Sequence, residues 1–307
     1  MAAKTKDSRA KKKKSTWTFL AVLFVAMLIL AGVALSLQAS DGLKPAIAVI
    51  PIQGTIGINS DVDPNQISEL LDKADSDISV DAIILEINSP GGSAVASQEI
   101  ADAVSGTKKP TVAVIREVGA SGAFWVATAA DKIVAAPAST TGSIGVTASY
   151  IDFARLMDTY GITYNRLVSG EFKDTGSEFK ELTPRERDYL LEKIFAVKDT
   201  FVAAIAANRN LSFEYVDSLA TGEIWFGAEA KDLGLVDILG GMDEAQETAE
   251  QLAGISNSRL VRYETQQPRL LDLLSGSTES VAYWMGQGMG SAFITASSDK
   301  NVPVVGA

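Results

Sequence analysis

The stretch GASGAFWVATAAD, residues 119–131, sets one serine, Ser121, among glycines and alanines ahead of an apolar run. Small neighbours let the backbone turn sharply and let a carbonyl group approach Oγ. If Gly122 opens a helix, its N–H points outward and can help hold an oxyanion. This is the pattern of an exposed nucleophile at a strand-to-helix turn, and equally that of an ordinary N-cap serine. It lies one residue from the G-x-S-x-G elbow of α/β-hydrolases, with Ala123 in the last place. That elbow needs a histidine, and the chain has no His and no Cys. A Ser-His-Asp triad, a Cys-His pair and a His- or Cys-ligated zinc site are all excluded.

A serine nucleophile here needs another base, and the best candidate is a lysine held uncharged. Its pKa must fall from about 10.4 by roughly 3 units, which burial in a dry, apolar groove can do. Such a lysine sits among apolar residues and has a hydroxyl to orient it. In LVSGEFKDTGSEF (167–179), Lys173 follows an expected strand and has Phe172 before it. A solvated surface lysine fits the same residues. A second glycine turn, NSPGGS (88–93), follows one buried strand and precedes a helix. Its N–H groups can supply the other half of an oxyanion hole, whereas its spacing matches neither common nucleotide-binding glycine motif.

These residues must be positioned by alternating strands and helices. Strands are expected over 46–56, 81–93 (running into the glycine turn), 111–115, 132–136, 140–146 and 162–170, and helices over 63–75, 94–106 and 121–130. Pro51 places the first strand near a sheet edge. A long helix follows, with Thr183 as N-cap, Pro184 at N1 and Glu186 completing a capping box. From Leu190 through Phe195 and Phe201 to Ile205 its apolar residues keep helical spacing. Shorter elements are expected over 212–220, 227–237 and 243–254. Short apolar strands alternating with helices indicate an α/β fold with a largely parallel sheet.

The net charge of −11 is unevenly spread: residues 1–16 carry +6 and the remainder −17. An acidic body argues against nucleic acid as a partner. The basic head precedes an uncharged apolar run from Trp17 to Leu37, long enough as a helix to cross the hydrocarbon core. Lysines on its N-terminal side keep the head cytoplasmic and place the body across the membrane. A cleaved signal peptide, with Ala34 and Ser36 at a small-residue site, predicts the same side for the body. The expected organisation is a basic cytoplasmic segment (1–16), a transmembrane anchor (17–38), a linker (39–45), one domain (46–254) and a partly disordered extension (255–307).

Four segments, AVIPIQGTI, LEINSPGGS, GASGAFWVATAADKIVAAPASTTGSIGV and SGEFKDTGSEFKELTPRER, occur in order between residues 46 and 254. Together they resemble the signal peptide peptidase A family of serine peptidases, in its single-repeat form. The resemblance implies the fold of Clp proteases and crotonases, with repeated ββα units, and a single-pass protein of the cytoplasmic (inner) membrane. It implies Ser121 as nucleophile, Lys173 as general base, Ser143 as the hydroxyl that orients the lysine, and Gly91 and Gly122 as oxyanion donors. Ala123, Phe124 and Trp125 stand where many members have Gly-Tyr-Tyr and are implied to shape the substrate groove. Implied substrates are remnant signal peptides, with no metal or organic cofactor. Single-repeat members form rings in which serine and lysine come from neighbouring chains. Other readings are a peptidase for one partner such as a stomatin-like protein, crotonase-type chemistry on acyl thioesters, and a non-catalytic scaffold.

Overall fold

The computed structural model describes residues 44–264, together with the single position Met27. The basic head, the apolar run apart from Met27, and everything after residue 264 lie outside the described residues. Among the described residues no helix is long and apolar enough to cross a membrane.

The first half of the chain alternates strand and helix: β1 (Ala46–Gln53), α1 (Pro64–Ser76), β2 (Val80–Ser89), α2 (Ala94–Ser105), β3 (Thr111–Ala120), α3 (Gly122–Thr128), β4 (Lys132–Ala135) and β5 (Thr140–Gly142). The helices start where the sequence provides caps: Asp63 accepts from the Asn65 N–H and Ser93 from the Ala96 N–H. The second half holds α4 (Ala154–Thr159), α5 (Pro184–Arg209), α6 (Phe213–Leu219), β6 (Ile224–Phe226), α7 (Gly227–Asp232), β7 (Ile238–Leu239), α8 (Met242–Ala253) and β8 (Arg259–Arg262). The Thr183–Glu186 capping box at the start of α5 forms as expected.

The sheet runs β6-β5-β3-β2-β1-β8, with β4 also on β3 and β7 on β4. Only the β5–β6 pair is antiparallel. Along the central strands successive residues enter opposite cores. Ile47, Val49, Ala82, Ile84, Val112 and Val114 pack towards α8, whereas Ile50, Ile83, Leu85, Ala113 and Ile115 belong to the larger core with α1, α2, α3 and α5. Both faces are covered, so these strands are continuous apolar runs rather than alternating ones.

Strand β3 is longer than its apolar run and forks. Its first half, Val112–Ile115, pairs with β4, and its second half, Val118–Ala120, pairs with β5. The exposed Arg116 and Glu117 mark the divide. The fork carries the chain on to Ser121.

β1 lies near the edge of the sheet as Pro51 indicated, with the short edge strand β8 pairing beside it through Ala46–Val49. That ladder closes with the Tyr263 N–H on the Val49 carbonyl, and Pro51, which has no N–H to give, stands just beyond it. β8 also lies past residue 254, so the sheet takes in more of the chain than the expected domain. Residues 162–170 form no strand: they find no ladder partner within the described chain, and Ile162, Tyr164, Leu167 and Val168 are exposed, Leu167 to 97%.

The end of β8 is locked to the α1–β2 turn. The Tyr263 hydroxyl donates to Asp77 Oδ2 at 2.7 Å. Asp77 also accepts from the backbone and hydroxyl of Ser79, and with the Tyr263 bond this holds its carboxyl down at about 2. Burial and then the Asp77 bond push the Tyr263 phenol up to about 12. Because the folded state favours the neutral phenol, this contribution is complete below the ordinary value of 10 and fades as pH rises towards 12. Tyr263→Phe is expected to lower stability by about 1 kcal/mol. Urea denaturation at neutral pH measures the loss, and the wild-type advantage should vanish in strong alkali.

Candidate active site

Ser121 stands between β3 and α3 with φ +54° and ψ −127°, a conformation non-glycine residues avoid. Two backbone hydrogen bonds hold it: its N–H donates to the Gly142 carbonyl at 2.8 Å, and its carbonyl accepts from the Trp125 N–H at 3.0 Å. The first continues the β3–β5 ladder by one residue, so the fork of β3 imposes the turn. Such strain costs of order 1–3 kcal/mol and persists only where the surroundings fix it. The Ser121 hydroxyl caps nothing, so the structure does not use it as an N-cap.

The second glycine turn abuts this one. Gly91 has φ +95°, and a Cβ there would lie 2.7 Å from the Gly122 nitrogen and 3.0 Å from Ser121 Cβ. Only glycine meets both demands. The Gly91 N–H donates to Ser89 Oγ at 3.1 Å, so it is engaged inside its own turn. The N–H groups of Gly92 and Gly122 have no acceptor among the described residues, and an added Cβ on Gly122 would stand 3.4 Å from the Gly92 nitrogen. The neighbouring Gly92 donor was not singled out from sequence, because nothing in NSPGGS distinguishes which glycine spends its N–H locally.

Both turns open into a cavity of about 620 Å³. Gly92, Ser93, Ser121, Gly122, Trp125 and Ser143 line it from the sheet side; Ile194, Phe195, Lys198 and Phe201 of α5 form the opposite wall. Ser143 shares the positive φ of Ser121, at +51°, and its N–H donates to the Glu223 carbonyl at 2.6 Å. The structure thus brings Ser121, Ser143 and Gly122 together. Of the three expected groove residues only Trp125 lines the cavity, stacked on Phe201 at 4.8 Å. Ala123 and Phe124 are fully buried, because that side of α3 packs into the larger core. The α5 wall was missed as a site, since apolar residues at helical spacing read as core.

Lys173 does not line this cavity. It lies in a series of turns, its N–H on the Gly170 carbonyl at 3.2 Å and its side chain exposed. Its neighbours, by contrast, are pinned. Arg166 holds Asp174 through two bonds at 2.6 and 2.7 Å and donates to the Glu171 carbonyl at 2.9 Å. Glu171 pairs with Arg185 at 3.1 Å, and Phe172 stacks on Tyr189 at 4.7 Å. Thr175 and Lys180 both reach the buried Glu186, Lys180 at 2.5 Å. The segment is therefore fixed on α5 while Lys173 itself points to no described partner.

Lys180, then the Thr183 N–H, hold the Glu186 carboxyl down at about 2. With the folded value below the ordinary 4.5, this stabilisation is complete above that pH and is lost as pH falls towards 2. Glu186→Ala removes the capping box and strands the Lys180 ammonium, and is expected to cost about 3 kcal/mol. Thermal melting at pH 7 tests this, and the difference from wild type should shrink below pH 4.

A serine hydroxyl on a strained turn, two unengaged N–H donors and a cleft with an apolar wall on α5 define the class: a serine hydrolase on a mixed, mostly parallel α/β sheet. Comparison with known proteins agrees. The Clp protease family matches residues 49–146, and Peptidase family S49 matches residues 103–256. A Methanocaldococcus jannaschii protein named as a protease is 38% identical over 72% of this chain and 71% of its own length. Protease 4 of Haemophilus influenzae is 32% identical over 78% of this chain and 42% of its own. An Enterococcus faecium protein named as signal peptide peptidase SppA is 31% identical over 70% of this chain and 63% of its own. This chain belongs to Peptidase family S49 and is a serine protease of the signal peptide peptidase A kind. It spans less than half of Protease 4 and most of the archaeal relative.

Proposed function

We propose that the protein is a membrane-anchored endopeptidase that cleaves apolar peptides, remnant signal peptides among them, with Ser121 as nucleophile and Lys173 as general base. The observation that carries this reading is the strained Ser121 turn at the mouth of a cleft walled by Trp125, Ile194, Phe195 and Phe201. The charge-free run 17–38 behind a lysine cluster supports the anchor, with the catalytic body on the extracytoplasmic side of the inner membrane.

Neutral Lys173 takes the hydroxyl proton as Oγ attacks the scissile carbonyl. The Gly122 N–H and a donor of the second glycine turn receive the oxyanion, each worth about 3 kcal/mol. Protonated Lys173 then gives its proton to the leaving amine, and an acyl-enzyme remains on Ser121. Lys173 next takes a proton from water as it attacks the ester, and returns that proton to Ser121 Oγ as the acyl–Oγ bond breaks and the acid leaves. Ser143, on the cavity wall, is the hydroxyl that orients the lysine.

Two observations favour a dyad shared between copies in a ring. Lys173 is held away from its own chain's cavity on a firmly anchored segment. The same region leaves Ile151, Leu156, Tyr160, Ile162 and Leu167 exposed, more apolar surface than an unpartnered segment ordinarily shows. One cation inside the cavity, Lys198, is a rival base, but its ammonium is committed to Asp217 at 2.5 Å.

The full chain in detergent, assayed on an apolar fluorogenic peptide, tests this. Ser121→Ala and Lys173→Ala are each expected to lose at least about a thousandfold in kcat/KM. An equimolar mixture, after subunit exchange, should regain a fraction of wild-type activity. An active Lys173→Ala enzyme refutes the base assignment, and a dead mixture despite exchange confines the dyad to one chain.

A further inference from the structure

Among the described residues that line the cavity, Lys198 alone is charged. It comes from α5, its side chain 19% exposed, and it lies 5.9 Å from the Phe195 ring centroid. Its Nζ meets Asp217 Oδ1 of α6 at 2.5 Å. Stability does not explain an ion pair here. A pair this accessible contributes roughly 0–1 kcal/mol, and apolar contacts would join two helices as well.

The chemistry of the pair suggests a role in selection. An ammonium that is the single charge on a cleft wall attracts carboxylates and rejects cations. With Asp217 beside it the net charge is cancelled, while an ammonium has three donors and Asp217 takes one. The cleft is left with hydrogen-bond donors but no net charge. The natural acceptor for such donors is an uncharged carbonyl, the group an apolar peptide presents along its own main chain.

We infer that Lys198 and Asp217 form a charge-cancelled specificity pair, in which Lys198 donates to a main-chain carbonyl of the bound peptide and Asp217 prevents that cation from selecting acidic side chains. This rests on the reading that the cleft binds peptides for Ser121. The pair then explains how one cleft accepts apolar peptides whose only polar groups are their amides, and it assigns the discrimination between neutral and acidic substrates to Asp217.

The test uses the full chain in detergent and apolar fluorogenic peptides in which each position in turn is Leu, Glu or Lys. Wild type should prefer Leu throughout. Asp217→Asn, which keeps the shape and removes the charge, should raise the Glu-to-Leu ratio of kcat/KM at one position by about tenfold. Lys198→Met should raise KM for the all-apolar peptide about fivefold and shift the same position towards Lys, whereas Lys198→Arg should restore the wild-type ratios. Binding of labelled peptides to the same variants in a Ser121→Ala background gives the ratios without turnover. If Asp217→Asn leaves both the kinetic and the binding ratios within twofold of wild type, the inference is overturned. If instead Ser121→Ala still cleaves, the assignment of the nucleophile fails, a different and separately visible result.

Discussion

The site depends on one hydrogen bond, from the Ser121 N–H to the Gly142 carbonyl. It is the last rung of the β3–β5 ladder, and it forces a serine into backbone geometry normally left to glycine or asparagine. β3 can make that rung because it has already parted from β4 below Arg116. The neighbouring turn must then come close enough for Gly91 to touch the Gly122 nitrogen, which sets two loops of N–H groups around one hydroxyl. The larger core fixes the arrangement from below, through Ala123 and Phe124, whose burial leaves α3 no freedom to rotate. What looks like an active-site loop is thus the end of a sheet.

Much of this was legible in the sequence, for physical reasons that differ by element. β1 to β4 are apolar runs bounded by turn residues, and a sheet covered on both faces demands such runs. α1 and α2 fall within the expected helices 63–75 and 94–106, and α5 announces itself by the Thr183–Glu186 box. β6, β7 and β8 have four residues or fewer, too short for any period to show, and exist because strands already in the sheet offer them an edge. Residues 162–170 alternate like a strand but find no ladder partner among the described residues. At the site, Ser121 and Gly122 were visible because small residues around a hydroxyl are chemically unusual. Phe124 lies in the larger core and Trp125 on the cavity, since the roughly 100° step between successive residues of a short helix separates core from cavity. Lys198 and Asp217 were invisible: a lysine on a long helix has the same spacing whether it faces solvent or a cleft.

The segment bearing Lys173 shows a division of labour between anchoring and display. Arg166, Asp174, Lys180, Glu186 and the Phe172–Tyr189 stack fix its backbone, and none of them engages the Lys173 ammonium. Charged pairs as exposed as Arg185 and Glu171 add little individually, but the buried Glu186 gathers Lys180, Thr175 and Thr183 at one point. An anchored backbone lets one side chain be presented at little further entropic cost.

The pairing of β8 with β1 bears on how the chain reaches this state. Ala46, the first residue of the sheet among the described residues, takes Arg259 as a neighbour, so the first described strand is completed by the last. Contacts between residues so distant in sequence form late, after the closure entropy of the whole intervening chain has been overcome. Until then β1 presents an open parallel edge of apolar residues, the kind of surface that other chains can join. The interval between emergence of β1 and arrival of β8 is therefore the most aggregation-prone stage in the folding of this domain.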